Sequence, residues 1–516
     1  MSRNVAPPSP SLSHLMRWPL DYAVAGALTL ASFLLLYVRY WFPPEKIFDE
    51  VYFARAAEEY LQRRFIYEST HPPLSKLLIT LSTWLFGGLH GGDTSYGWRF
   101  LDVVFGALMI WLLYALAKRI TGSTLFSAYA AMLLGLDGMH FAQSRIATPE
   151  SFVGLFSLAT IYAFYRYWTA EAESLPRAAL PRGALRMRLI AAGGAFGAGA
   201  LFALIRFGAE SVPAKILVIA YCGAGLYLVY RLWIERRLDA QAPPVPRDTL
   251  LWLLLFCVSI ACLVTTKWYG VMAFGVAFTI VAVRPRTFRL DLMVATLAFV
   301  LGTVYGAAYT PQFMGLSDTP GAAPRAYTLS EVVDSQHGMF EYHNNLRATH
   351  PYASAWWQWP LDLRPVLYYA NYGHDGHNNI TTAAMIYSLP NPFILWFGLL
   401  CVPVVAYLAV RERNKAYVLV VLTYLLQWLP WSHSPRISFA YHFYVDIALT
   451  CLCIAIVMQR LWDWSKESDF RPLVRSGIVA YLAAVFMAFC YFFPELAGLT
   501  IPYGDWSARL WLSSWI

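Results

Sequence analysis

The sequence has 516 residues, of which 58% are hydrophobic and 14% are charged. These proportions exclude an ordinary soluble globular protein and predict an integral membrane protein. The formal net charge is +8. The basic residues cluster between apolar runs, as expected of a membrane protein with short basic loops, and this pattern argues against nucleic acid as a partner.

Apolar runs divide most of the chain into predicted transmembrane helices. A hydrocarbon core needs about 20 apolar helical residues, and this criterion predicts an all-α polytopic protein with about 11 to 13 spans. The runs begin near Pro19, Phe100, Ser123, Ser151, Leu189, Pro213, Leu250, Tyr269, Leu290, Ala384, Ala416, Phe439 and Val474. We expect a cytoplasmic tail over residues 1–18, a transmembrane domain over 19–493 and an aromatic exterior tail over 494–516. The stretch "TTKWYG" indicates a turn between two spans or, alternatively, one long broken helix.

The basic segments predict the orientation of the chain. With the N-terminus in the cytoplasm, "KRITGS", "RLWIERRLD", "VRPRTFR" and "RERNK" all fall on the cytoplasmic side. Short cytoplasmic loops carry such an excess of Lys and Arg. Two long loops, residues 43–97 and 309–382, then lie outside the cell membrane, and loops of this length are usually functional or disordered. Aromatic residues in both argue against disorder.

The first of these loops contains a pair of adjacent acids in "KIFDEVYFARAAEEYL", Asp49 and Glu50. Adjacent side chains point in different directions, so the two carboxylates cannot both address one substrate atom. We expect one acid to act on the substrate and the other to hold the loop in place. The alternative is that the pair caps the helix that follows.

The same loop ends in "HPPLSKLL". Pro72 or Pro73 at the first helical position and the leucine spacing after it predict an amphipathic helix on the membrane face. His71 precedes this helix and is a candidate for binding a phosphate or a sugar hydroxyl. A structural histidine in a turn is the alternative.

Several segments resemble the protein O-mannosyltransferases. They are "FDEVYFARAAEEYL", "HPPLSKLL", "YGWRFLDVVFGAL", "GLDGMHFAQSRIATPESF", "TKWYG", "HPYASAWWQWPLDLRPVLYY", "LPNPFILW" and "PRISFAYHFY", in the order typical of that family. The resemblance implies a membrane glycosyltransferase of the GT-C fold that uses a polyprenyl-phosphate sugar. Three departures point to a bacterial or archaeal member: two extra spans over residues 189–233, no MIR domain in the long loop, and Glu150 where relatives commonly have Asp.

The resemblance further implies inverting transfer of mannose from polyprenyl-phosphate-mannose to Ser or Thr hydroxyls of a protein. A lipid phosphate is already a good leaving group, so one base suffices. The resemblance assigns that base to Asp49, with Glu50 orienting it or the acceptor. No cofactor is expected, and a divalent metal is possible but not required because hard cations usually gather more oxygen ligands.

The departing phosphate needs positive charge at the exterior ends of the spans. Four residues there are candidates, in the order Arg99, Lys267, Arg145 and Arg436. Any one of them could instead extend to the lipid headgroups.

The long loop and the span after it add two aromatic candidates. Trp357, in "WWQWPL", suits a sugar or peptide platform or, equally, an interfacial anchor. His442, in "FAYHFY", is a candidate donor ligand, although a packing role between helices is favoured.

Two rival functions share these features. A GT-C enzyme could move the sugar onto a lipid or glycan, and a transporter of polyprenyl lipids would also have many spans. The transporter is disfavoured because the acids lie in an exterior loop and not near the bilayer midplane.

Overall fold

The structure is a computed structural model that describes residues 19–87, 94–174, 247–283, 290–434 and 436–515. The helices in chain order are α1 (Pro19–Tyr37), α2 (Glu50–Leu61), α3 (Leu74–Gly87), α4 (Ser95–Thr121), α5 (Thr124–Gly135), α6 (Gly138–Gln143), α7 (Glu150–Ser174), α8 (Arg247–Thr266), α9 (Val271–Val283), α10 (Leu290–Ala308), α11 (Thr310–Met314), α12 (Leu329–Asn345), α13 (Pro392–Arg411), α14 (Lys415–Trp428), α15 (Tyr444–Trp464), α16 (Arg471–Ala497) and α17 (Tyr503–Ser507). The strands are β1 (Val366–His374), β2 (Ile380–Ser388) and β3 (Ile501–Pro502).

Six helices in the described part of the chain are long and apolar enough to cross a membrane. They are Pro19–Tyr37, Ser95–Thr121, Arg247–Thr266, Pro392–Arg411, Ala440–Glu467 and Arg471–Ala497, and four shorter apolar helices accompany them. The protein is therefore an integral multi-pass membrane protein. The spans predicted near Leu189 and Pro213 lie outside the described residues, so the total of about 11 to 13 stays a prediction.

Helix α15 is the central helix of the bundle. In its most apolar stretch 94% of the residues are buried, whereas in that of α1 only 22% of the residues are buried. Helix α1 packs antiparallel to α4. Asp21, near the start of α1, contacts Lys118, near the end of α4, at 3.1 Å. Residues that follow α1 and precede α4 are thereby brought to one face of the bundle.

Helix α3, which follows "HPPLSKLL", has its polar side inward. Lys76 and Ser82 are buried, whereas Leu81, Trp84 and Leu85 are 45 to 55% exposed. The predicted amphipathic helix is confirmed, with its apolar side free to face lipid. The stretch "TTKWYG" is a turn, as predicted: α8 ends, Lys267 is extended, and a short 3-10 segment leads into α9.

Two segments connect helices on one face, which we call the loop face. The first loop (residues 38–73) contains α2, and the long loop (residues 309–391) contains α11, α12, β1 and β2. The all-α prediction is wrong for the long loop, because β1 and β2 pair antiparallel and β3 adds to β2. The span predicted from Ala384 begins later, at Pro392, since Ala384 is part of strand β2.

The aromatic tail stabilises the long loop. Trp515 donates from Nε1 to the carbonyl oxygen of Asp362 at 2.6 Å, and Arg364 donates to the carbonyl oxygen of Ser514 at 2.6 Å. Trp515 is buried in an apolar cluster that also contains residues of β2 and α16. The predicted tail boundary at 494 falls inside α16, which continues to Ala497.

Candidate active site

Asp49 lies at the start of α2, immediately after a residue in an unusual backbone conformation. Phe48 has φ of 47°, in the left-handed region that non-glycine residues rarely adopt, and such positions cluster at functional sites. The Asp49 side chain does not cap the helix. Among the described residues it forms no hydrogen bond or ion pair, and it is only partly buried. Asp49 therefore presents a carboxylate that the fold leaves uncommitted.

Glu50, in contrast, is fully committed to the protein interior. Its side chain is 0% exposed and receives two hydrogen bonds from Arg99, Nε to Oε1 and Nη2 to Oε2, each at 2.6 Å. The backbone N–H groups of Ile47 and Ala147 also donate to it, at 3.1 and 2.9 Å. Glu50 thus joins the first loop to α4 and to the segment before α7, which is the loop-holding role expected of one acid in the pair.

The leading place of Arg99 among the phosphate-binding candidates is not supported. Its Nη1 donates to the carbonyl oxygens of Tyr40 and Pro43, at 3.2 and 2.8 Å, and its Nη2 also donates to that of Glu45 at 3.2 Å. Together with the bonds to Glu50, these contacts use all five guanidinium N–H groups. Arg99 has no donor left for a lipid phosphate.

Arg145 is also directed into the protein. It donates from Nη2 to the carbonyl oxygen of Val38 at 2.7 Å and from Nη1 to that of Leu496 at 3.4 Å. Its guanidinium lies over the ring of Phe141, 4.3 Å from the centroid. Arg145 therefore ties the residues after α1 to the end of α16, and its expected contact with phosphate is not supported.

Lys267 is close enough to influence the carboxyl of the catalytic candidate Asp49, and it is itself paired with Glu150. The Lys267 ammonium contacts Glu150 Oε1, and both side chains are largely buried. Glu150 is the first residue of α7, where a negative charge is favoured by the helix dipole. Glu150 thus keeps the Lys267 ammonium at the loop-face end of α8, and the two charges balance each other.

Arg436 reaches the same region from the segment between α14 and α15. Its Nη1 lies 2.6 Å from Nδ1 of His343, and Nε2 of His343 lies 2.7 Å from the carbonyl oxygen of Thr70. Because an arginine can only donate, His343 accepts at Nδ1 and donates from Nε2. Burial, the largest cause, together with the nearby charges lowers the pKa of His343 to about 3, consistent with a neutral ring. The arrangement fixes Arg436 between the two loops.

The electrostatic surroundings of Asp49 resemble those of a general base. Burial is the main cause that raises the pKa of its carboxyl to about 7. The charge of Glu150 raises this pKa further, whereas Lys267 and Arg436 lower it. A base whose pKa lies near neutral pH is suited to proton transfer, and perturbed carboxyl groups of this kind cluster at active sites.

His71 belongs to a separate charged cluster at the edge of this region. Its Nδ1 lies 2.9 Å from Oε1 of Glu68, and Lys76 donates to Oε2 of Glu68 at 2.7 Å. Burial acts to raise the pKa of Glu68, but Lys76 and His71 outweigh it and hold that pKa below its ordinary value. The ring of His71 is 5.0 Å from that of His343, so the cluster adjoins the site.

The two aromatic candidates occupy different positions. His442 is 5% exposed and packs among aromatic rings, 4.1 Å from Trp431 and 5.8 Å from Trp359 between centroids, as favoured from the sequence. Trp357 is 49% exposed. This position is compatible with both of its predicted roles, the platform and the membrane anchor.

Sequence reasoning did not assign roles to Glu68, Lys76, Glu150 or His343 in holding the site. A signal is present for three of them: Lys76 falls within "HPPLSKLL", Glu150 departs from the family pattern, and His343 belongs to the Trp- and His-rich long loop, where its ring is a candidate for a sugar or peptide platform. Among the described residues, no group of three or more His, Cys, Asp or Glu side chains is placed to hold a metal ion. Metal independence stays a prediction.

Two solved structures share the fold of this chain. The S. cerevisiae protein O-mannosyltransferase Pmt1-Pmt2 complex bound to the sugar donor matches with a TM-score of 0.70 at 13% identity, covering 99% of this chain and 95% of that chain. ArnT from Cupriavidus metallidurans in the apo state gives 0.50 at 12% identity, covering 93% and 76%. The fold is therefore that of the GT-C class, as expected.

Two family models match this chain. Residues 26–180 match "Dolichyl-phosphate-mannose-protein mannosyltransferase" and residues 328–515 match "C-terminal four TMM region of protein-O-mannosyltransferase". A polyprenol-phosphate-mannose--protein mannosyltransferase of Mycolicibacterium smegmatis is 27% identical, with 96% of this chain and 94% of the relative covered. A relative of the same description from Mycobacterium tuberculosis is 26% identical, with 91% and 86% covered. The chain belongs to the protein O-mannosyltransferase family and is a glycosyltransferase.

Proposed function

We propose that this enzyme transfers mannose, with inversion, from polyprenyl-phosphate-mannose to Ser or Thr hydroxyls of a polypeptide. The observation that carries the proposal is the uncommitted carboxylate of Asp49, which has two cations, Lys267 and Arg436, in its electrostatic neighbourhood. The relatives named for transfer from polyprenol-phosphate-mannose to protein support the donor and the class of acceptor.

The chemistry requires one base and a place for negative charge. Asp49 removes the hydroxyl proton as the acceptor oxygen attacks the anomeric carbon, and the bond between that carbon and the phosphate oxygen breaks. Polyprenyl phosphate leaves with the electron pair of that bond. Lys267 and Arg436 stabilise the developing charge, at a partly desolvated position where such contacts are stronger than in water.

Supporting residues keep these groups in place. Glu50 and Arg99 fix the loop that carries Asp49, and His343 orients Arg436. Glu150 balances the charge of Lys267 and helps to keep the pKa of Asp49 near neutral. The neutral pair of Glu150 and Lys267 leaves Arg436 as the main source of net positive charge for the phosphate.

We further propose that the loop face is the exterior face of the plasma membrane. Basic residues support this orientation, because Lys118, Arg119, Arg411 and Arg413 lie at helix ends that are directed away from the loops. An excess of Lys and Arg marks the cytoplasmic side of a membrane protein.

The identity of the acceptor that receives the sugar tests the proposed function. Purified enzyme in lipid nanodiscs, supplied with polyprenyl-phosphate-mannose labelled in the sugar, is expected to label a peptide that contains one threonine and not the same peptide with alanine there. Label that enters only lipid or glycan would assign the enzyme to the rival acceptor class. Movement of the donor between the leaflets of liposomes that contain the enzyme, without any transfer, would support the transporter.

A further inference from the structure

A cavity of about 220 Å³ lies between the two loops, and we call it the side cavity. The first loop and the start of α3 form one wall, and α11, α12 and the segment between them form the other. The residues that define it include Tyr60, Phe65, Glu68, Gln312, Val332 and Met339. No group in the proposed reaction occupies this space.

The side cavity adjoins the proposed base. Phe53, one helical turn after Asp49 on α2, packs against His71 with 5.6 Å between ring centroids, and His71 lines the cavity. Glu68, which also lines it, is close enough to influence the carboxyl of Asp49. A polypeptide with a hydroxyl at Asp49 therefore has the side cavity within reach of a neighbouring residue.

The charged residues of the wall already have partners, because Glu68 contacts His71 and Lys76, and Asp318 is paired with Arg325 outside the cavity lining. Lys76 donates to the carbonyl oxygen and Oε2 of Glu68, both at 2.7 Å, and to the carbonyl oxygen of His71 at 2.8 Å. These three acceptors use all three ammonium protons. A charged ligand would be desolvated there without gaining a free partner, so the cavity favours an uncharged one.

The remaining wall is mostly apolar and includes a buried acceptor that has no partner among the described residues. Phe65, Val332 and Met339 supply apolar surface, and Tyr60 accepts a hydrogen bond from Nε2 of Gln312 at 3.3 Å. Within the described residues, Oε1 of Gln312 is buried without a partner.

The volume of the side cavity is sufficient for a large apolar or aromatic side chain, because a cavity of about 150 Å³ in another protein holds benzene.

From this geometry we propose that the side cavity binds an uncharged, apolar or aromatic side chain of the acceptor polypeptide, close in sequence to the residue that receives the sugar. This inference rests on the proposed function, because it assumes a polypeptide acceptor at Asp49. Burial of a leucine or phenylalanine side chain favours binding enough to lower the peptide KM about tenfold or more.

The test uses peptides with one threonine and glycine at the three positions on either side. Each glycine in turn is replaced by Leu, Phe, Lys or Asp, and the KM of transfer by the full-length enzyme in nanodiscs is measured. At one position Leu or Phe is expected to lower KM at least about tenfold, whereas Lys and Asp do not. An equal KM for all peptides would overturn the inference but leave the proposed function intact, whereas no labelled peptide at all would refute the proposed function.

Two neighbouring residues on α12 provide matched variants. Ser335 lines the cavity and Asp334 is exposed. Ser335→Phe is expected to abolish the preference for Leu and Phe without changing the KM of the all-glycine peptide, and Asp334→Phe is expected to keep it. If Ser335→Phe lost both the transfer to the all-glycine peptide and the binding of the donor, the cavity would be assigned to the sugar. This result would overturn the inference.

A second variant covers the case in which the phenylalanine prevents folding. Met339→Ala enlarges the cavity and is expected to shift the preferred neighbouring residue from leucine towards tryptophan. An unchanged order of preference in this variant would contradict the proposed occupant.

Discussion

The pH dependence of transfer tests the assignment of Asp49 most fully. A general base acts only when ionised, and the pKa of this carboxyl is raised to about 7. The ionised fraction then falls about tenfold for each pH unit well below 7, so kcat/KM at pH 5 is expected to be about one hundredth of its plateau value. A carboxylate with an ordinary pKa would be almost fully ionised at that pH.

Two variants that each remove one charge should shift the acid limb of the profile, which is the fall of kcat/KM towards low pH, in opposite directions. Glu150→Gln removes a charge that raises the pKa of Asp49 and leaves Lys267 without its partner, so the limb should move to lower pH by about one unit. Lys267→Met removes a charge that lowers this pKa and should move the limb to higher pH, with a lower plateau because the phosphate loses a cation. Asp334→Asn, at an exposed position, is the control for loss of one charge.

The assay is the initial rate of peptide labelling at low donor concentration, from pH 5 to 8.5, with the enzyme in nanodiscs of constant lipid composition. Donor binding is measured at each pH to separate loss of affinity from loss of the base. A flat profile between pH 5 and 8, or a shift of both variants in the same direction, would refute the electrostatic account of Asp49.

Further predictions concern the residues around the base. Glu50→Gln leaves Arg99 as a buried charge without its partner, so the free energy of unfolding, measured by denaturation in detergent, should fall by about 3–5 kcal/mol. The double variant Glu50→Gln with Arg99→Met should lose less free energy of unfolding than the sum of the two single variants. His343→Ala removes the acceptor for Arg436 and should weaken donor binding about tenfold, whereas unchanged binding would exclude this positioning role. Trp357→Ala should raise the KM for peptide if the ring is a platform, and should instead weaken association with lipid if it is an anchor. EDTA should leave transfer unchanged, and a loss restored by one divalent ion would show that metal is required.

Features determined by local sequence were predicted well. The helix after "HPPLSKLL" and the turn at "TTKWYG" depend on short-range geometry, and the divergence of the adjacent side chains of Asp49 and Glu50 does so too. The strands were missed because the apolar end of β2 lies directly before the span that follows, so that strand and span resemble one apolar run although "PNP" separates them.

Long-range contacts explain the remaining differences. Arg99 was expected to face the phosphate because it lies near the end of a span, but its partners come from Tyr40 to Glu50, about 50 to 60 positions earlier in the chain. A lysine within a leucine-rich helix suggests a solvated face, whereas α3 exposes its apolar side and buries Lys76 against Glu68. Spacing along the chain does not determine which carbonyl groups and carboxylates converge in space.

The central claim is that Asp49 is the base of an inverting mannosyl transfer, and Asp49→Asn tests it most directly. With polyprenyl-phosphate-mannose and a threonine peptide, the variant is expected to transfer mannose about 10²- to 10⁴-fold more slowly than the unmodified enzyme while binding the donor with similar affinity. Transfer by Asp49→Asn within tenfold of the unmodified rate, at equal donor binding, would contradict the account.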